Sequence, residues 1–164
     1  MRAAPAALLA TIALGLGCHT GPTDIVYGQD ECAACRMRIT DQRFASELVT
    51  THGKAYKFDA IECLVGFLDH QVVPTAEIHS LWVANSANPG ELIDARTAYY
   101  LRTDRVRSPM GLNVLAFRNA ADRDVARAQY EGEVVAWEQL PELSRLARAN
   151  LPRTRPGIPQ VPQR

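Results

Sequence analysis

Residues 32–37 read Cys-Ala-Ala-Cys-Arg-Met, so three of six neighbouring side chains carry sulfur. A Cys-x-x-Cys pair serves as a redox dithiol, as a c-type haem attachment or as half of a zinc site. Haem attachment needs a histidine directly after the second cysteine, and Arg36 stands there. A four-cysteine zinc site needs a second pair, and Cys63 has no neighbour in the sequence. A thioredoxin-type site places its pair at a strand-to-helix junction. Here Met37-Arg38-Ile39-Thr40 runs towards a strand, which weakens that reading without removing it. Met37 shifts the balance. Residues two apart point to opposite sides of a helix but share one face of an extended segment. An extended Cys35-Arg36-Met37 presents a thiolate and a thioether to one ion, with Cα atoms about 6.6 Å apart. Soft donors of this kind select Cu(I) over harder metals. The competing use of Met37 is gap-filling in a core.

Four further residues could add a donor or assist transfer. Cys32 is the partner within the pair. Cys63 falls in the first turns of an expected helix, where the dipole lowers a thiol pKa, although a small buried hydrophobe is the plainer reading. Met110 sits in Ser108-Pro109-Met110-Gly111, a turn sequence that favours a tight bend. His52 occupies the matching turn Thr51-His52-Gly53. The remaining histidines, His19, His70 and His79, read as mobile or surface residues. Arg102, Arg105, Arg107 and Arg118 make a basic cluster, either a solvated face or a docking surface. The carboxylates are scattered. A Gly-rich phosphate loop, a nucleophile elbow and a His-Glu-x-x-His motif are all missing from the sequence, so an enzyme is not expected.

The elements that must position these residues repeat. Strands are expected at 44–50 and 54–58 around the turn at His52. A helix then starts at Asp59, an N-cap with Glu62 three residues on. Ile61, Leu64, Val65 and Leu68 give it one apolar face. A third strand follows at 78–84. The order recurs with strands at 97–102 and 112–117, a helix at 120–130 capped by Asn119, and a strand at 132–137. A last helix at 141–149 packs Leu143 and Leu146. The expectation is an α+β fold of two small ββαβ units, 29–86 and 87–149, the second including the C-terminal helix. Each unit is marginal alone, so the two should pack together through apolar surface at Trp82 and Trp137.

The ends carry other signals. Met1-Arg2 and the uncharged apolar run 3–16 look like an export signal (residues 1–17), too short to span a bilayer comfortably. Cys18 follows it, and the junction resembles a bacterial lipobox, in which the cysteine becomes lipidated. The match departs in having Gly15 where a branched apolar residue is usual. Residues 18–28 read as a tether, and 150–164, with four prolines, as a disordered tail. Outside the cytoplasm free thiols tend towards disulfides. With Cys18 lipidated three cysteines remain, an odd number that a pure disulfide framework cannot use. The 18 basic and 18 acidic residues cancel, leaving no positive field for nucleic acid.

Several stretches together resemble the nitrous oxide reductase accessory lipoprotein family, NosL. They are Asp30-Glu31-Cys32-Ala33-Ala34-Cys35-Arg36-Met37-Arg38-Ile39, Phe58-Asp59-Ala60-Ile61-Glu62-Cys63-Leu64, Ser108-Pro109-Met110-Gly111 and Ala116-Phe117. The resemblance implies two ββαβ units and a membrane-anchored chaperone on the periplasmic side of a bacterial membrane. It also implies Cu(I) held by Cys35 and Met37. The partner it implies is nitrous oxide reductase or the machinery that matures such copper enzymes. Arg36 departs from the pattern, since relatives often have glycine between these two donors. Two readings of the residues stay open beside it: a membrane-tethered thiol-disulfide oxidoreductase using Cys32 and Cys35, and a Cys32–Cys35 disulfide that is only a staple.

Overall fold

The computed structural model describes residues 21–149. The strands are β1 (Ser46–Thr50), β2 (Ala55–Phe58), β3 (Ile78–Ala84), β4 (Leu92–Asp94), β5 (Tyr99–Arg102), β6 (Val114–Phe117) and β7 (Glu133–Val135). The helices are α1 (Ile61–Asp69), α2 (Ala120–Tyr130) and α3 (Leu140–Ala149). They form a four-stranded sheet in the order β2-β1-β3-β4 and a three-stranded sheet in the order β6-β5-β7, with every pairing antiparallel. This is the expected α+β fold of two strand-strand-helix-strand units closed by a short helix. Residues 1–20 and 150–164, with the export signal, Cys18, His19 and the Pro-rich tail, lie outside the described residues.

Local differences from the sequence reading have local causes. β4 lies beyond residue 86 yet belongs to the first sheet, pairing Trp82 with Asp94, Val83 with Ile93 and Ala84 with Leu92. It satisfies backbone groups that β3 would otherwise expose as an edge. Part of the expected tether is also tied down. Glu47, on the central strand β1, is fully buried and needs partners, and the backbone N–H and hydroxyl of Thr23 supply them at 3.0 and 3.1 Å. The Lys57 ammonium donates to the Asp24 carbonyl at 2.6 Å. The expected strand at 132–137 shortens to β7, because Trp137–Gln139 turn into a single 3-10 turn that starts α3.

The two units share one core. Leu48, Phe58, Leu64 and Leu81 of the first pack with Tyr100, Leu112, Val114 and Val135 of the second. A parallel bridge between Asn85 and Ala116 fastens the sheets at one end. Trp137 joins this core, its ring 6.2 Å from that of Tyr100. Trp82 does not, because alternation along β3 turns it away from buried Leu81 and Val83, and its indole N–H donates to Ser80 instead. α3 packs on α1, with Arg145 bridging to Asp69 and the Arg148 guanidinium lying so close over Gly66 that a Cβ there would sit 2.6 Å from it. Leu140 and Leu143 face inward, whereas Leu146 is 51 % exposed, on the outer face rather than packed as expected.

Both unit helices follow directly on a strand, with different starts. Asn119 caps α2, its side chain accepting from the Asp122 N–H at 2.9 Å. Asp59 does not cap α1. The cap position is Ala60, extended at φ −157°, with no side-chain hydrogen bond.

Candidate metal centre

The sulfur-rich loop is a tight turn rather than an extended strand. Glu31 and Arg38 form an antiparallel bridge, and Cys32 donates its N–H to the Met37 carbonyl at 2.8 Å. Arg36 donates back to the Cys32 carbonyl at 3.0 Å, and Ala33 N–H to the Lys57 carbonyl of β2 at 2.8 Å. Closing so short a loop puts Arg36 at φ +66°, a left-handed conformation that costs a side-chain-bearing residue. The expectation that Cys35 and Met37 share the face of an extended segment is therefore corrected. The intervening residue turns the chain, and Met37 lies 42 % exposed at the loop's end.

What the turn does is carry Cys32 and Cys35 down onto the start of α1. There Asp59, the last residue before the cap, and Cys63, in the helix's first turn, complete a cluster. One donor atom from each of Cys32, Cys35, Asp59 and Cys63 lies within 4.8 Å of every other. Cys32, Asp59 and Cys63 are buried, and Cys35 is half-buried. The three cysteines are free thiols. The Cys35 thiol donates to Asp59 Oδ2 at 3.4 Å, and the Cys35 N–H to Cys32 Sγ at 3.5 Å. Cys63, a candidate additional donor in the sequence although a small buried hydrophobe is the plainer reading there, is a full member. So is Asp59, whose expected capping role it gives up for this contact.

The thiols are not equivalent. Cys63 donates to Cys32, and with backbone donors beside it this holds the Cys32 thiol down to about 6 against the cost of its burial. Donating to Cys32, together with burial, pushes Cys63 far up. Burial pushes Cys35 up to about 11, with the neighbouring Cys32 and Asp59 adding to the rise. The Cys32 thiol is thus held low and the Cys35 and Cys63 thiols high.

A cavity of about 460 Å³ opens beside the cluster. Cys35 and Cys63 form one wall, Met110 and Leu112 another, Phe67 and Ala147 the apolar flank, with exposed His70 near its edge. Glu62 fixes this arrangement. Its Oε1 accepts from the Ser108 hydroxyl and from the Leu112 N–H at 3.1 Å, tying the start of α1 to the turn that carries Met110. Ser108 in turn accepts from Gly111 and Asn113 N–H groups at 3.2 and 2.9 Å, which locks the turn. Burial raises the Glu62 pKa, and its Oε2 has no hydrogen-bond partner, as is also true of Asp59 Oδ1. In the sequence Glu62 has only the look of a capping residue.

Of the two matching turns, then, only one faces the thiols. Met110 lines the cavity with Cys35 and Cys63. His52 is exposed at the β1–β2 turn, its Nδ1 3.3 Å from the Thr51 hydroxyl, and is not part of the cluster. In the basic group, Arg105 pairs with Glu131 and Arg118 with Glu91, so two of the four charges are compensated locally. Among the described residues no helix is long and apolar enough to cross a membrane.

No curated protein matches the chain. Among solved structures, the copper chaperone NosL from Shewanella denitrificans has the same fold, with a TM-score of 0.58 at 20 % identity over 73 % of this chain and 95 % of that one. The NosL family model matches residues 24–144, which takes in the Cys32–Met37 loop, α1, the Met110 turn and both sheets. The chain belongs to the NosL family.

Proposed function

We propose that this chain is a Cu(I) chaperone, anchored through a lipid on Cys18 at the periplasmic side of a bacterial membrane. It supplies copper for the maturation of nitrous oxide reductase. Cys35 and Met37 hold the ion where it is handed on, and Met110 offers a further thioether. One observation carries the reading: Cys35 is the half-buried member of a buried thiol cluster, and it stands in the wall of a cavity that Met110 also lines. Thiolate and thioether donors suit Cu(I). A donor set reached through an open cavity lets a partner's ligand enter before the ion is released. Met37, exposed and unbranched, can swing its sulfur towards Cys35. Family membership and the likeness to a copper chaperone support the metal, and the resemblance supports the recipient.

The thiol-disulfide oxidoreductase reading has the lowered Cys32 thiol in its favour. An attacking thiol must be both ionised and accessible. Here the thiol held lowest, Cys32, is fully buried, while burial pushes the accessible Cys35 up. The two requirements fall on different residues, and metal delivery is the better reading.

Anaerobic titration of the reduced chain against a Cu(I)-specific competitor tests it. One Cu(I) per chain should bind in strong preference to Zn(II), Cys35→Ser should abolish uptake, and Met37→Ala should slow hand-over. Equal or tighter binding of zinc would sink the proposal.

A further inference from the structure

We infer that Cys32, Cys35 and Cys63 form an inner, three-thiolate Cu(I) position, behind the outer one that Cys35 shares with Met37 and Met110, and that the ion rests inside and leaves through the outside. This rests on the copper reading above and adds where the metal is kept. Metal–thiolate bonds of about 2.3 Å place the sulfurs of a trigonal site about 4 Å apart. The donors here already lie within 4.8 Å of one another, so the thiols need to close by at most about 1 Å. They are anchored for it. Cys32 is held between the Ala33–Lys57 and Cys32–Met37 backbone bonds, and Cys63 stands on α1, the most deeply buried helix.

Donor chemistry sets the direction. Three thiolates hold Cu(I) more firmly than one thiolate and thioethers, because the anionic sulfur is the stronger soft donor. Cys32, at 0 % exposure and away from the cavity, closes the inner position from behind, while Cys35 and Cys63 line the cavity with Met110, so the ion passes between the two positions on that side. Asp59 belongs to the cluster without being a copper donor. Its hard oxygen suits Cu(I) poorly, and it already accepts from the Cys35 thiol. The exchange balances without redox chemistry. Copper remains monovalent and bonded to Cys35 throughout. Bonds to thioether sulfur break as bonds to Cys32 and Cys63 form, and each S–H that is replaced releases its proton to solvent. Delivery reverses these steps.

Copper K-edge absorption of the selenomethionine-labelled chain, loaded anaerobically with one Cu(I), separates the two positions without altering a cysteine. A sulfur shell with no copper–selenium scattering is expected. A selenium neighbour at rest would place the ion outside and overturn the inference while leaving the chaperone reading intact. Cys32→Ala and Cys63→Ala, which keep a small apolar side chain in the core, should each lose one sulfur and gain selenium as copper retreats to the outer position. An unchanged shell in both variants also overturns the inner site. A chain that takes up no Cu(I) would bring down the chaperone proposal and this one together.

Discussion

The two ββαβ units run the same course and treat their helix starts in opposite ways. After β6, Asn119 caps α2 with its own side chain, and the helix that follows buries only Ala126. After β2, the cap position is an alanine, and seven of the nine residues of α1 are buried. The side chains that could have capped α1 are committed elsewhere. Asp59 contacts the Cys35 thiol, and Glu62 reaches across to Ser108 and Leu112. Each leaves one buried oxygen without a partner. Buried polar atoms are rarely left this way; Asp59 belongs to the thiol cluster, and Glu62 lines the same cavity as Cys35 and Cys63. The start of α2 is thus satisfied by its own cap. The start of α1 gives up that local satisfaction beside a cluster of candidate donors, which is where rules of local consistency are expected to fail.

Three substitutions test that contrast. Glu62→Ala should have the largest effect, because it leaves the buried Ser108 hydroxyl and Leu112 N–H without their acceptor and unties the Met110 turn from α1. A loss of about 2 kcal/mol is expected in denaturant unfolding, reduced from the full cost of two orphaned donors by removal of a buried carboxyl. Asn119→Ala should cost about 1 kcal/mol, the ordinary value of an N-cap, without changing metal uptake. Should Asn119→Ala prove the more damaging of the two, or alter copper binding, the contrast between the two helix starts is wrong. Arg36→Gly should have the smallest effect and the opposite sign. It removes a left-handed penalty of about 1–2 kcal/mol and adds most of that back as backbone entropy, for a net gain of about 0.5 kcal/mol. A rise in melting temperature would show that the loop is strained as the Arg36 dihedral indicates; a fall would show that the arginine side chain contributes more than its backbone costs.

Much of the fold was legible because its causes are local. The strand expected at 78–84 and the helix expected at 120–130 behind its Asn119 cap are β3 and α2 at their observed ends. The Cys-x-x-Cys-x-Met loop stood out for its composition alone. The sequence could also show that three cysteines leave one unpaired, though not where the third would stand. Only the tertiary structure decided the rest. Asp59 lies 24 residues from Cys35, and Ser108 46 from Glu62, so placement of the start of α1 between the sulfur loop and the Ser108–Leu112 turn determines these contacts. The same packing overrode the capping box expected at Asp59, since Asp59 and Glu62 take their hydrogen bonds from Cys35, Ser108 and Leu112 instead of from the helix end. It also separated two turns that look equivalent along the chain. Met110 is tied to α1 through Glu62 and faces the thiols, whereas His52, with no such tie, remains in solvent. Residue type and spacing named the candidate donors, and the docking of one unit on the other decided which of them lie together.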